Sequence, residues 1–240
     1  MRTFLRLEFL YRQLCYQAEL NSAWASRDAI DGLLDIVAIL SRGDVRGDVL
    51  KELERQLFML ERLQKTNEVD ITRLQGVTQK LQKLRGSLSA IGPKYLQELK
   101  DNEFLNAIRH RSSIPGGTCA FDIPEYTHWL RQNFDRRTHD VAMWVEAVRP
   151  LCDAVLGLLW IVRNTKQSGK RIASGGVYQH SMNRETINGL IRIALPTGVE
   201  LYPEISGSQH RFSVRFMRWD SGEEKPAQTG DDVEFELTIC

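Results

Sequence analysis

The hydrophobic period of this chain changes once, near Gly169, and that change limits the fold more than any other feature. Upstream, apolar residues recur at steps of three and four, the period of a helix. Downstream they alternate, the period of a strand. A helical stretch followed by a run of strands is the α+β pattern, with an antiparallel sheet rather than a helix-wrapped parallel one. The 240 residues suffice for one large domain or two modest ones.

The helical part begins at the start of the chain. Phe4, Leu7, Leu10, Tyr11 and Leu14 form one stripe, while Arg2 and Arg6 share a different face, one turn apart. A second helix is expected through Ile30, Leu33, Leu34, Ile36, Val37 and Leu40, stopped by Gly43, with Asp44 placed to cap the next. That third helix carries Leu50, Leu53, Leu57, Leu60 and Leu63, and the fourth carries Ile71, Leu74, Val77, Leu81, Leu84 and Leu88. With a polar turn at 66–70 between them, the two read as a long antiparallel hairpin with coiled-coil-like seams. The hairpin is expected to dock on its own molecule. Charges on the remaining faces (Lys51, Glu52, Glu54, Arg55, Glu61, Arg62) leave self-association as the alternative.

Gly92-Pro93 breaks this pattern, and a short helix follows. Pro115-Gly116-Gly117 then forces a turn, and 118–121 suits a short strand that would join the sheet. Further helices carry Trp129 and Leu130, then Val141, Trp144, Val145, Val148, Leu151, Val155, Leu158 and Val162, with Pro150 expected to bend the last one. The expected division is therefore a helical domain at 1–112 and 124–168, a strand segment at 113–123, and an antiparallel β-sheet or sandwich domain at 169–240.

In that last region strands are expected at 190–195, 199–202, 211–219 and 233–239, with Pro196-Thr197-Gly198 as a hairpin joining the first pair. The strand at 211–219 is the most pointed. Phe212, Val214 and Phe216 face one way, and Arg211, Ser213 and Arg215 face the other. Burying the first set leaves guanidinium groups on a rigid surface, and their forks match carboxylates in a bidentate way. A second reading is purely structural. Glu234 and Glu236 alternate with Val233, Phe235 and Leu237, so pairing of the two strands would neutralise the arginines locally. The residues alone leave both readings open.

Composition excludes several classes. A net charge of +1 provides no global basic field for DNA or an anionic membrane. Cys15, Cys119, Cys152 and Cys240 are scattered and form no CxxC pair, which fits a reduced cytoplasmic protein without a zinc ribbon. The most apolar run, 151–162, is interrupted by Asp153 and is too short to span a bilayer. No nucleotide-binding, serine-hydrolase or zinc-protease motif is present, and His110, His128, His139, His180 and His210 have no ligand spacing, so no metal or other cofactor is expected. A hydrolase built on Cys119 and His128 is one alternative function, although nothing supplies an oxyanion site. A single-stranded nucleic-acid binder is another. There, however, the aromatic and basic residues should share a face, and here they alternate.

The stretches Met1-Arg2-Thr3-Phe4-Leu5-Arg6-Leu7-Glu8, Arg42-Gly43-Asp44-Val45-Arg46, Ser113-Ile114-Pro115-Gly116-Gly117, Leu201-Tyr202-Pro203-Glu204-Ile205-Ser206-Gly207 and Arg211-Phe212-Ser213-Val214-Arg215-Phe216-Met217 closely resemble the ZapD family of Z-ring-associated cell-division proteins. The likeness runs in order from Met1 to Cys240. It implies a non-enzymatic cytoplasmic protein with a helical and an antiparallel β-domain, recruited to the division ring at midcell. It also implies a symmetric homodimer that binds the C-terminal tail of FtsZ and cross-links its filaments. No nucleic acid, membrane insertion or cofactor is implied. Carried over by position, the tail-binding residues are Arg6, Arg42, Arg211 and Arg215, forming a basic pocket between the two domains. Glu103 and Thr127 stand where some relatives carry arginine and histidine, and His128, beside Thr127, is the substitute candidate. Relatives usually carry a short segment ahead of Met1. If that segment is a strand, an open sheet edge is expected here.

Overall fold

The computed structural model describes residues 1–64, 70–164, 168–182, 189–208, 210–219 and 225–240. They form two compact units, Arg2–Leu159 and Met1 with Trp160–Cys240. The architecture is α+β, with helices in the first part of the chain and antiparallel sheets in the last.

In the helical unit α1 (Arg2–Ala18) and α2 (Ala23–Leu40) pack as an antiparallel pair across a short loop. Their seam buries Phe4, Leu7, Tyr11 and Leu14 against Ile30, Leu33, Ile36 and Val37. Ser41 rather than Gly43 ends α2: its amide bonds Val37 O at 3.0 Å and its hydroxyl donates to the same carbonyl at 2.7 Å. Asp44 then caps α3 (Val45–Leu63) as expected, accepting from Gly47 N at 2.9 Å.

α3 packs on α4 (Ile71–Ala90) to give the hairpin. Of the polar turn at 66–70 only Asp70 lies within the described residues, and it caps α4 by accepting from Arg73 N at 3.1 Å. The buried seam is Leu53, Leu57 and Leu60 with Leu74, Leu81 and Leu88, whereas Leu63 and Ile71 at its end are exposed. The hairpin docks on its own unit. α4 meets α9 (Arg149–Asn164) so closely that a Cβ at Gly157 would collide with Leu84 Cδ1. Arg46 ties the other end of α4 by donating to Leu88 O at 3.2 Å and Ser89 O at 3.3 Å, carbonyls the helix itself leaves unpaired.

α5 (Gln97–Asp101), α6 (Glu103–Ser112), α7 (Pro124–Leu130) and α8 (Phe134–Glu146) complete the unit. Phe104, Tyr126, Trp129 and Trp144 from three of them make an aromatic box with neighbouring centroids 5.7 to 6.2 Å apart. Trp129 Nε1 donates to the buried Asp140 carboxylate at 2.9 Å. The strand expected at 118–121 is absent. Consecutive turns close there through Gly117 N to Ile114 O at 2.8 Å, Cys119 N to Gly116 O at 3.1 Å and Ile123 N to Cys119 O at 3.2 Å. Gly116 adopts φ 73°, and Arg27 pins the loop by donating to Thr118 O at 3.1 Å. The whole segment 113–123 belongs to the helical unit. Pro150 does not bend a helix either. α8 ends at Glu146, and Pro150 sits in the first turn of α9, where its missing N–H has no partner to lose.

The second unit is a sandwich of two antiparallel sheets. One has the order β1 (Gly169–Ala173), β7 (Val233–Ile239), β3 (Ile191–Ala194). The other has the order β2 (Val177–Ser181), β5 (Arg211–Arg218), β4 (Tyr202–Gly207), with β6 (Ala227–Gln228) also paired to β5. Their inner faces share one core: Phe212, Val214 and Phe216 from one sheet, Ala173, Val233, Phe235 and Leu237 from the other. The chain changes sheet between β1 and β2 at Gly175 and Gly176, with φ 56° and 75°, and a side chain at Gly176 would strike the Thr229 carbonyl.

Two strand expectations are corrected. Pro196-Thr197-Gly198 makes no hairpin: β3 pairs with β7 in one sheet and β4 with β5 in the other, so this segment crosses between sheets. The second strand also lies later than 199–202, running Tyr202–Gly207 through Pro203. Proline cannot donate to a ladder, but β4 is an edge strand, where one side needs no donor.

Phe216 is fully buried, and its ring lies 5.1 Å from that of Phe235. Phe216→Ala should cost about 3–5 kcal/mol through lost burial and the cavity it leaves. Chemical denaturation followed by circular dichroism measures this. A loss below about 1 kcal/mol would show that the sandwich does not depend on this residue.

Candidate functional site

β5 is the central strand of its sheet, held on one side by β2 and on the other by β4. Its exposure alternates as the sequence demands. Phe212, Val214 and Phe216 are buried, and Arg211 and Arg215 are exposed on the opposite face. Both arginines therefore stand on one face of one strand, four residues apart, or about 13 Å at roughly 3.3 Å per residue. Phe212 and Phe216 are core residues, so they give this face no stacking ring, and Trp219 is exposed just beyond the strand end.

The two arginines have different surroundings. Arg215 lies directly opposite Glu204 of β4, and its Nη2 donates to Glu204 Oε2 at 3.2 Å. Arg211 lies opposite Ser181 of β2 and borders a polar groove of about 570 Å³, together with Gln179, Ser206, Ser208 and Ser213. The Ser206 and Ser213 hydroxyls are 2.9 Å apart in the floor of this groove. Among the described residues, Arg211 forms no ion pair and no side-chain hydrogen bond. Besides these hydroxyls and the Gln179 amide the groove is lined by His180, and among the described residues no carboxylate lines it. It can receive a carboxylate without displacing a resident acid.

Of the two readings left open for the arginine strand, neutralisation by Glu234 and Glu236 does not occur. Both lie on β7, in the other sheet, where Glu236 faces Lys170 and Glu234 faces Ile172 of β1. The acid that meets Arg215 is Glu204, within the Leu201-Tyr202-Pro203-Glu204-Ile205-Ser206-Gly207 stretch. That stretch was itself the available signal. It supplies both the acid on Arg215 and the Ser206 hydroxyl beside Arg211.

The other candidates lie in the helical unit. Arg6 is exposed on α1 and rims an apolar hollow lined by Leu5, Phe9, Leu10 and Ile39. Arg42 is exposed just after α2, and its amide donates to Ile39 O at 3.2 Å. The antiparallel pairing of α1 and α2 therefore brings Arg6 and Arg42 to the same end of that helix pair, beside the exposed Phe9 ring. Neither guanidinium has an ion-pair partner among the described residues. His128 stands apart on α7, exposed, its Nε2 3.0 Å from Gln132 Nε2. Cys119 does not meet it. The thiol donates to Asp122 Oδ2 at 3.2 Å, and no hydrogen bond joins it to His128. No group of three or more His, Cys, Asp or Glu among the described residues could hold a metal ion. Among them, too, no helix is long and apolar enough to cross a membrane.

A family model for ZapD, described as a cell division protein, matches residues 5–215. The chain belongs to the ZapD family. Cell division protein ZapD of Chromobacterium violaceum is 36% identical over 239 residues, covering 100% of this chain and 94% of that protein. The ZapD proteins of Methylococcus capsulatus and Ralstonia pickettii are 34% and 35% identical over 244 and 241 residues, again across 100% of this chain and 94% and 95% of theirs. These relatives are named as cell division proteins and not as enzymes. The span matched to the ZapD model takes in Arg6, Arg42, His128, Arg211 and Arg215.

Because the Arg211 side chain makes no ion pair or hydrogen bond among the described residues, Arg211→Asp should leave stability within about 0.5 kcal/mol of the parent. Thermal unfolding decides this. A fall of several degrees in Tm would mark Arg211 as a structural residue rather than a presented one.

Proposed function

We propose that this ZapD-family protein is a non-enzymatic cytoplasmic factor, recruited to the division ring at midcell, that binds the C-terminal tail of FtsZ. As a homodimer it carries two tail sites and cross-links FtsZ protofilaments into bundles. The observation that carries this reading is the outer face of β5, where Arg211, without an ion pair among the described residues, and the lightly held Arg215 stand on a strand whose other face is locked in the core. Guanidinium groups on a rigid strand suit a short carboxylate-bearing segment, because the strand's backbone loses no freedom on binding. Arg6 and Arg42, with the adjacent Phe9, offer basic and apolar contacts on the helical unit, and His128 is a further candidate there.

Two sites on one dimer make the proposal physically economical. Each tail contact need only be modest, since engagement of neighbouring filaments converts the second binding event into an intramolecular one. The family membership supports the process, cell division, and the arginine face supports the kind of partner.

Co-sedimentation tests the proposal. FtsZ polymers should pellet as bundles with this protein, and FtsZ lacking its C-terminal tail should not. Undiminished bundling of tailless FtsZ would refute tail recognition. Raising salt from 50 to 300 mM should weaken bundling progressively, because exposed charges more than about 8–10 Å apart are screened near physiological ionic strength. Arg215→Asp should reduce bundling while the protein stays folded. Bundling that is indifferent to both salt and Arg215→Asp would remove the electrostatic basis of the model.

A further inference from the structure

The Leu201-Tyr202-Pro203-Glu204-Ile205-Ser206-Gly207 stretch forms β4 and its approach, and core packing does not account for its acid. Glu204 points to the outer face, in register with Arg215. The pair is single-pronged at 3.2 Å, and its side chains are 54% and 45% exposed. Four residues along the same strand, Arg211 borders a groove with Gln179, His180, Ser181, Ser206, Ser208 and Ser213, and no carboxylate lines it among the described residues. One guanidinium is open and the other is occupied by a carboxylate from the same chain.

We infer that Glu204 is an internal competitor for the acidic partner: it holds Arg215 until a partner carboxylate displaces it. The inference rests on the reading of this face as the site for the FtsZ tail, and it adds a specificity device to that reading. An exposed ion pair contributes little and is readily exchanged, so Glu204 does not close the site. It does remove most of the gain at Arg215 for a ligand that cannot place a carboxylate there, and it repels one that approaches off-centre. Arg211 is the unconditional anchor. Arg215 rewards only a partner with a second carboxylate that reaches about 13 Å along the strand.

The mechanism predicts that removing an acid tightens binding, the opposite of a structural role. A fluorescent synthetic peptide of the FtsZ C-terminal tail is titrated with the full chain, and anisotropy gives the affinity. Glu204→Gln, isosteric and uncharged, should bind about two- to five-fold tighter, the fold-change equivalent of releasing one exposed ion pair. Arg215→Met should bind more weakly, and in that background Glu204→Gln should have no effect, because the competitor has lost the group it occupies. Circular dichroism confirms that each variant is folded. If the parent binds the peptide and Glu204→Gln binds equally or less well, the competitor role is overturned while tail recognition stands. An equal gain with and without Arg215 overturns it as well, since Glu204 would then act through net charge alone. If neither the parent nor Glu204→Gln binds the peptide, the partner assignment fails and the inference fails with it.

Discussion

Burial of one face of β5 is the constraint on which the β-unit depends. Phe212, Val214 and Phe216 fill the space between the two sheets, where Phe216 and Tyr178 both meet Phe235. A slip of one residue would move all three into water and bring Arg211 and Arg215 inside. The cost of burying two unpaired guanidinium groups far exceeds anything a shifted ladder could recover. The core therefore fixes both the register and the outward direction of the arginines.

The same constraint divides the charges of the sandwich. Glu234 and Glu236 alternate on β7 as the arginines do on β5, but their strands belong to different sheets, so the two sets face away from each other. The neighbours differ on the two faces: Lys170 lies across from Glu236 in register, and Glu204 lies across from Arg215 and pairs with it. Among the described residues Arg211 is left without an ion-pair partner, in a groove of hydroxyls, one amide and His180. This imbalance distinguishes the β5 face from an ordinary ion-paired sheet, and the proposed recognition of an acidic tail draws on it.

Much of the fold was legible because period is a local property. The α1 stripe, the α3–α4 seam, the Asp44 cap and the alternation of β5 and β7 all follow from residues within a few positions of one another. The failures share a physical cause, which is that the deciding partner is distant in sequence. Thr118–Cys119–Ala120–Phe121 has strand-like composition, but Arg27 and the Gly116 turn hold it as a loop. Pro196-Thr197-Gly198 looks like a hairpin, but β3 finds its partner in the last strand of the chain. Pro203 looks like a strand end, and only an edge position makes it tolerable inside one. β1 and β2 carry little hydrophobic signal, because β1 is exposed at its three central positions and no residue of β2 is fully buried.

The candidate site divides along the same line. Sequence by itself determined that the chain is α+β, that Arg211 and Arg215 share a face opposite three apolar residues, and that the chain resembles the ZapD family, because each of these rests on order and period along the chain. Tertiary structure alone decided which acid meets which arginine. Cross-strand neighbours are set by sheet topology, and topology is set by which apolar faces close on one another. The result paired Arg215 with Glu204, set Glu236 across from Lys170, and left Arg211 without an ion pair among the described residues.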